Sequence, residues 1–325
     1  MKRFSQLAAF LLLSLAGLQA APGYTQDPSW PGKLPDGWKY RMVGNAAGDS
    51  KGTIYVIHRG AHPLLRFDKQ GKFLGSLGDD IFQQSVNLNL TVNPPIPISR
   101  EYWLHGLHVD PWDNVWVTDL GRQVVMKLSP EGKLLLTLGT LDKSGTDEKT
   151  FNQPSSVAVA PSGHIYVADG YGNSRIMKFS PEGKFLKTWG KKGSGPGEFD
   201  TPHGITVDAS GKVYVAERMN NRVQVFDAEG NFLAQWPGFK GPDSIKLLRD
   251  GTFYVGTGGG NPRIFHLDPT GARLEQFGEV EIFGYPHGIH VDAEGSLYLA
   301  DPVADEAARP PRKFVRTAPA PGSGN

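Results

Sequence analysis

The chain has 325 residues, and its 34 Lys and Arg residues almost balance its 33 Asp and Glu residues, for a formal net charge of +1. This balance argues against nucleic acid as the main partner, because nucleic-acid binding usually requires a basic face. The chain contains no cysteine, which excludes disulfides, thiolate metal ligands and a cysteine nucleophile. A bound metal would therefore be held by His, Asp, Glu or backbone oxygen.

The N-terminus has the pattern of a signal peptide. Lys2 and Arg3 form a basic start, an apolar run extends from Leu7 to Leu18, and small residues follow near Ala20. The run is too short to cross a bilayer comfortably. We interpret 1–20 as a signal peptide and expect a periplasmic or secreted protein with no membrane insertion after cleavage.

The body of the chain, 38–303, is built from a recurring unit, between an N-terminal linker, 21–37, and a Pro-, Ala- and Arg-rich tail, 304–325. The recognisable units begin at His105, Ser155, His203, Asp243 and His287, and a further N-terminal unit includes Gly52–Gly60. Each unit has an alternating strand, a glycine turn, an aromatic and β-branched strand, and two more strands.

Four short strands in every 40 to 50 residues or so are typical of a β-propeller blade. The sequence therefore predicts an all-β fold, a six-bladed β-propeller. The last blade is interrupted after Asp301. We expect Lys313–Arg316 to supply its third strand and Trp38–Met42 to close the ring as its fourth.

Three histidines occupy one repeated position. The first strand of a blade lines the central channel, and this strand opens with His105, His203 and His287 in blades two, four and six. Alternate blades are 120° apart, so the three imidazoles should converge on the axis. Three imidazoles with an open fourth position are typical of catalytic Zn²⁺. The alternative is that His-Gly is only a turn that opens a strand.

Other polar groups should share the mouth of the channel with these histidines. Antiparallel pairing places the end of each second strand beside the start of the first, and the segments there contain Arg59, Tyr171 and Arg218. A phenol near a dication and a guanidinium can have a depressed pKa and act as a base. The alternative for Tyr171 is an aromatic residue packed on the rim.

The sequence also resembles a known family. Units such as IYVADGYGNSRIMKFSPEGKFLKTWG resemble NHL repeats. A more specific set of motifs resembles peptidyl-α-hydroxyglycine α-amidating lyase: IHRG (57–60), LHGL (104–107), DGYGNSR (169–175) and two PHG sequences (202–204 and 286–288). The resemblance covers roughly 44–301, nearly all of the chain that follows the signal peptide.

The resemblance implies a role for each matching residue. It implies that His105, His203 and His287 bind Zn²⁺, that Tyr171 is the base and that Arg59 orients and polarises the substrate. Arg218 is a lesser catalytic candidate. The implied substrate is a small peptide-like α-hydroxyglycine, whose N–C bond is cleaved to give a peptide amide and glyoxylate.

The sequence departs from the family pattern at the residues that bind the family's second metal ion. The family has a structural Ca²⁺ bound by two backbone carbonyls and by an aspartate that follows the third zinc histidine. Gly288 stands at that aspartate position, and the carbonyls would be those of Ala46 and Leu107. Two carbonyls without a carboxylate make a poor calcium site, so we expect none. Tyr285 stands where the family has methionine.

Two other functional classes fit the same pattern. A non-catalytic NHL propeller would bind a peptide, a protein partner or a glycan on one face. A metal-dependent hydrolase would use the same scaffold on a small ester or lactone. The long connection 79–100, which leads into His105, is interpreted either as a rim over the site or as a solvated spacer.

Overall fold

The computed structural model describes residues 19–21, 23–89, 96–259, 262–278, 284–302 and 309–317. The strands in chain order are β1 (Gln19–Ala21), β2 (Tyr24–Asp27), β3 (Val43–Gly48), β4 (Ile54–His58), β5 (Leu64–Phe67), β6 (Phe73–Ser76), β7 (Ser85–Asn89), β8 (Ile96–Glu101), β9 (Leu104–Val109), β10 (Val115–Asp119), β11 (Val124–Leu128), β12 (Leu134–Leu138), β13 (Ser156–Val159), β14 (Ile165–Asp169), β15 (Arg175–Phe179), β16 (Phe185–Trp189), β17 (Pro202–Val207), β18 (Val213–Glu217), β19 (Arg222–Phe226), β20 (Phe232–Pro237), β21 (Pro242–Leu247), β22 (Phe253–Thr257), β23 (Arg263–Leu267), β24 (Arg273–Phe277), β25 (Gly288–Val291), β26 (Leu297–Ala300) and β27 (Arg312–Arg316). Within these ranges the structure contains no helix that is long and apolar enough to cross a membrane.

Twenty-five of the described strands form six antiparallel sheets arranged as a six-bladed β-propeller, which confirms the predicted fold class, and β7 and β8 form a separate two-stranded sheet. Blades one to five are four-stranded meanders that start at β3, β9, β13, β17 and β21. The first strands of successive blades contact one another around the ring, and β25 of blade six returns to β3. This closed ring of inner strands surrounds the central channel.

The core lies between blades rather than within one sheet. Six apolar clusters join neighbouring blades in turn, such as the one that joins Trp116 of blade two to Val167 of blade three. All residues of the second strands β4, β10, β14, β18 and β22 are buried, because a blade covers each of their faces. This explains why these strands are nearly continuous apolar runs.

A repeated aspartate fixes the turn between the first two strands of a blade. Asp292 accepts hydrogen bonds from the backbone N–H groups of Glu294 and Ser296, and from the hydroxyl of Tyr298 at 3.0 Å. Gly295 in this turn has a φ of 83°, which favours glycine. The same arrangement recurs with Asp208 and Tyr214.

The closing strand differs from the prediction. Blade six has the order β25-β26-β27-β2-β1, so its fourth strand is Tyr24–Asp27 and not Trp38–Met42. Tyr24 pairs with Arg316, and its buried hydroxyl lies 3.0 Å from that of Tyr254 in blade five. The segment interpreted as a linker therefore contributes a strand to the sheet. The expected third strand is confirmed as β27.

Several predicted features extend beyond the described residues. The predicted signal peptide 1–20 lies outside them except for positions 19 and 20, which belong to β1. Of the tail, 304–325, only 309–317 is described. The connection 79–100 includes the β7–β8 hairpin, while 90–95 lie outside the description. The signal peptide and export stay predictions.

Candidate metal centre and catalytic cleft

The three repeated histidines meet on the channel axis. The ring centroids of His105, His203 and His287 lie 4.7–4.9 Å apart in every pairing. One nitrogen from each ring lies within 4.8 Å of the other two, and all three residues are buried. Three blades that are not neighbours in the ring thus present one imidazole each to a common point.

The intervening blades orient these imidazoles. The Nδ1–H groups of His105, His203 and His287 donate to the carbonyl oxygens of Ser155, Asp243 and Gly44, respectively, at 2.6–2.7 Å. A carbonyl can only accept, so each Nδ1 carries the proton and each Nε2 presents a lone pair. This partner for the non-ligating nitrogen is the one that metal-binding histidines usually have.

Burial keeps the imidazoles neutral. It lowers the pKa of His105 and of His203 well below the usual value, and it lowers that of His287 as well. The nearby positive charge of Arg218 acts in the same direction on His203. Neutral imidazole is the form that binds a metal.

The donors around the three lone pairs are too few. The phenol oxygen of Tyr171 lies 3.0 Å from Nε2 of His105 and 2.8 Å from Nε2 of His203, but its single proton can serve only one of them. The other donor at these atoms is a guanidinium nitrogen of Arg218, 2.6 Å from Nε2 of His203. Nε2 of His287 makes no hydrogen bond with the described residues. A divalent ion on the three Nε2 atoms would satisfy all of them, so this residue set fits a metal, and its nitrogen ligands suit Zn²⁺.

Arg218 connects the metal centre to its surroundings. Its Nε donates to the buried carboxylate of Asp243, while its Nη1 lies 3.3 Å from the phenol oxygen of Tyr171. Its Nη2 lies 2.6 Å from Nε2 of His203 and 3.3 Å from the hydroxyl of Tyr285. Asp243 thus fixes a guanidinium that faces two phenols and an imidazole.

Burial and a neighbouring charge have opposite effects on the pKa of Tyr171. The ring is 37% exposed, but the hydroxyl end is inserted among the imidazoles. Burial raises the pKa of this phenol, and the charge of Arg218 opposes that effect without reversing it. A dication on the three histidines would add a second positive charge that lowers this pKa, so the depressed pKa stays a prediction.

Arg59 lies on the wall of the same cleft. Its guanidinium stacks 3.8 Å above the ring of Trp103 and lies 4.0 Å from the carboxylate of Glu101. Glu101 is the last residue of β8 and directly follows the connection 79–100, whose interpretation as a rim or as a solvated spacer stays a prediction. The cleft has a volume of about 180 Å³ and is lined by His105, His287, Tyr171, Arg218, Arg59 and Tyr285, among others.

Sequence reasoning missed Tyr285 as a member of the site. Its hydroxyl contacts Arg218, and its ring centroid lies 5.7 Å from that of His287. Gly258 leaves the room for it, because a Cβ there would overlap the ring of Tyr285 and approach the carboxylate of Asp243 at 2.5 Å. The signal in the sequence was the run of small residues GTGGG (256–260), which begins within the second strand of blade five.

The residues do not fit a calcium ion in the channel below. A Cβ at Gly288 would lie 2.6 Å from Cα of Asn45, so this backbone leaves no room for the aspartate of the resembled family. Ala46 and Leu107, whose carbonyls would be the other calcium ligands, line a cavity that is also lined by Lys246, a positively charged residue.

Comparisons with known proteins agree with this architecture. A family model, DUF5128, described as a 6-bladed beta-propeller, matches residues 143–236. The chain is 31% identical over 304 residues to rat (Rattus norvegicus) peptidylglycine alpha-amidating monooxygenase, which covers 85% of this chain and 30% of the relative. It is 33% identical over 180 residues to Drosophila melanogaster peptidyl-alpha-hydroxyglycine alpha-amidating lyase 1, and this match covers 52% of this chain and 32% of the relative.

The chain is a six-bladed β-propeller that resembles the amidating lyases. The match spans about a third of the length of these curated relatives, as the coverage of the rat protein shows. Among solved structures, the propeller superposes on a streptogramin B lyase with a TM-score of 0.59 and 15% identity, covering 86% of this chain and 95% of the other. That likeness supports the fold alone.

Proposed function

We propose that the propeller is an exported zinc-dependent lyase that cleaves peptidyl-α-hydroxyglycines to a peptide amide and glyoxylate. The position of the Tyr171 hydroxyl, between two imidazoles of the metal centre and beside Arg218, carries the proposal. The similarity to amidating enzymes supports the substrate class. Export rests on the N-terminal pattern.

His105, His203 and His287 would hold the ion through their Nε2 atoms. A Zn²⁺ bound there would supply a positive charge that polarises a substrate oxygen and lowers the pKa of neighbouring hydroxyl groups. The backbone carbonyls behind the rings keep the three lone pairs aimed at one point, so the chain supplies a preorganised site.

Tyr171 moves the proton in this proposal. As phenolate it accepts the proton of the substrate hydroxyl, and the freed electron pair forms the C=O bond of glyoxylate. The C–N bond breaks at the same carbon, and its electron pair goes to the amide nitrogen. Tyr171 then returns the proton to that nitrogen, so the reaction consumes neither water nor a redox partner. Arg218 stabilises the phenolate between the two transfers.

Arg59 binds the substrate carboxylate. Its planar guanidinium is suited to a two-point contact with a carboxylate, and its stacking on Trp103 fixes the plane of the group. The ion pair with Glu101 is long, at 4.0 Å, and both side chains are partly exposed. A substrate carboxylate can therefore replace that contact at small cost.

The proposal is tested by incubating the zinc-loaded protein with α-hydroxyhippurate. We expect glyoxylate and benzamide to form in equal amounts, with the Tyr171→Phe variant as the matched control. Zinc-loaded, folded protein that turns over an ester or lactone but not this substrate would favour the hydrolase class. Turnover of neither would leave a binding propeller and overturn the proposed activity.

A further inference from the structure

A second layer of polar side chains crosses the channel beyond the metal centre. Lys246, His108 and His290 each lie three residues after the axis residue of their own blade, so they occupy one level of the channel. Lys246 and His108 line a cavity of about 80 Å³ that also touches the three metal-centre histidines, and Thr206 adds a hydroxyl at the same level.

This inner cavity leads to solvent on the face opposite Tyr171. A wider basin of about 480 Å³ opens there, and Lys246, His290 and Val109 line its inner end. Gly48, Val109 and Lys246 border both spaces, so the basin continues into the channel. A small solute can reach Lys246 without passing the metal centre.

Lys246 and His290 lack hydrogen-bonding partners among the described residues. The ammonium of Lys246 makes no hydrogen bond or ion pair with the described residues. His290 is only 7% exposed, and its Nδ1 is buried without a hydrogen-bond partner. Burying such groups without partners is costly. Burial lowers the pKa values of Lys246, His108 and His290, and the charge of Lys246 lowers those of both histidines further.

The nearby carboxylates are engaged elsewhere. Asp243 is held by Arg218 at the level of the metal centre. At the basin, Asp49, Asp110 and Asp292 accept hydrogen bonds from their own turns and from Tyr55, Trp116 and Tyr298. Asp110 also lies 3.9 Å from the ammonium of Lys127. The other acidic residues that line the basin are engaged as well: Asp113 with Ser50, Asp250 with Thr252 and Glu294 with Lys69. These contacts leave the ammonium of Lys246 without a protein counter-ion among the described residues.

We propose that this second layer is a binding site for a small oxyanion, a carboxylate or a phosphate, with Lys246 as its charged donor and Thr206, His108 and His290 around it. The site is separate from the proposed lyase chemistry and does not depend on it. An anion there would supply the missing counter-ion for Lys246 in the same part of the channel that has no room for a calcium carboxylate.

The test is titration of the purified chain with sodium formate and, separately, with inorganic phosphate at constant ionic strength. Thermal unfolding and calorimetry report binding. We expect saturable binding of one anion and a rise in the melting temperature that is lost in Lys246→Met. Lys246→Arg should retain it, and Lys212→Met serves as control because Lys212 is exposed and lies outside both cavities.

Comparison of the two anions decides whether a carboxylate or a phosphate is preferred. Equal anion effects in wild type and Lys246→Met would reveal a general salt effect or binding at the metal centre, and would overturn the proposal. Stabilisation by calcium chloride but not by either sodium salt would also overturn it. If Lys246→Met fails to fold, calorimetry of Lys246→Arg and wild type decides the question, because absence of saturable binding in both would overturn the proposal.

Discussion

The hydroxyl oxygen of Tyr171 lies 2.8 Å from Nε2 of His203. The phenol comes from the loop that follows the second strand of blade three, and the imidazole comes from the start of blade four. A group placed for proton transfer thus touches a group placed for metal binding. The propeller creates this contact between blades, and no single blade contains it.

Replacing Tyr171 with phenylalanine should abolish proton transfer and leave the metal centre in place. We expect kcat with α-hydroxyhippurate to fall by about 10²- to 10⁴-fold, the usual range for loss of a general acid or base. Zinc content and thermal stability should change little. Tyr102→Phe, at a partly buried tyrosine that packs between blades one and two, is the matched control. Unchanged turnover in Tyr171→Phe would rule out this residue as the base.

Arg218 should control the pH at which Tyr171 works. Arg218→Met removes a positive charge from beside the phenol, so the pKa of Tyr171 should rise. The limb of the pH–rate profile that reflects phenolate formation should then move to higher pH, with a lower kcat at neutral pH. Arg249→Met, at an exposed arginine, provides the control. A fall in kcat with an unmoved limb would indicate that Arg218 acts only by holding the site together.

Arg59 should control affinity for the substrate carboxylate. A charged, two-point hydrogen bond contributes about 1.5 to 3 kcal/mol, so Arg59→Met should lower kcat/KM by about 10- to 100-fold, mainly through KM. The methyl ester of α-hydroxyhippurate lacks the carboxylate charge and should be affected much less. Equal losses for acid and ester would contradict this assignment.

How far the sequence could predict the site depends on how local each signal is. The axis positions of His105, His203 and His287 follow from the register of the repeat, which is readable along the chain. The Asp243–Arg218–Tyr285 network joins residues from three blades, and no periodic pattern marks it. Burial of the Tyr171 hydroxyl raises its pKa, and a loop position in the sequence does not reveal that burial.

The fold, too, is predictable where its signals are local and not where they depend on tertiary contacts. Strand alternation and glycine turns predict the blades, because those signals are local. The closing strand Tyr24–Asp27 is only four residues long and pairs with Lys313–Arg316 at the opposite end of the chain. The pairing depends on tertiary contacts, such as that of Tyr24 with Tyr254, which a local pattern does not contain.

His58 should make the protein sensitive to acid. Its Nδ1 accepts hydrogen bonds from the backbone N–H groups of Arg41 and Gly60, and burial lowers its pKa to about 4. The unfolded chain takes up this proton near the ordinary value of about 6.5. This contribution to stability is therefore complete above about pH 6.5 and is lost as the pH falls towards 4.

The measurement is the free energy of unfolding between pH 7.5 and pH 4 for wild type and His58→Asn. The asparagine oxygen can still accept a hydrogen bond, but the side chain does not titrate in this pH range. The variant should therefore lose less stability than wild type on acidification. His164→Asn, on a turn of blade three, should follow wild type. If His58→Asn has the wild-type pH dependence, another group causes the acid sensitivity.

The central claim, that three imidazoles form one metal site, is tested most directly by the metal content of the purified chain. We expect one equivalent of zinc in wild type, substantially less in His203→Ala, and full content in His164→Ala, with all three proteins folded by circular dichroism. A wild-type protein that stays metal-free after exposure to zinc, or a His203→Ala variant that binds zinc as tightly as wild type, would contradict the account.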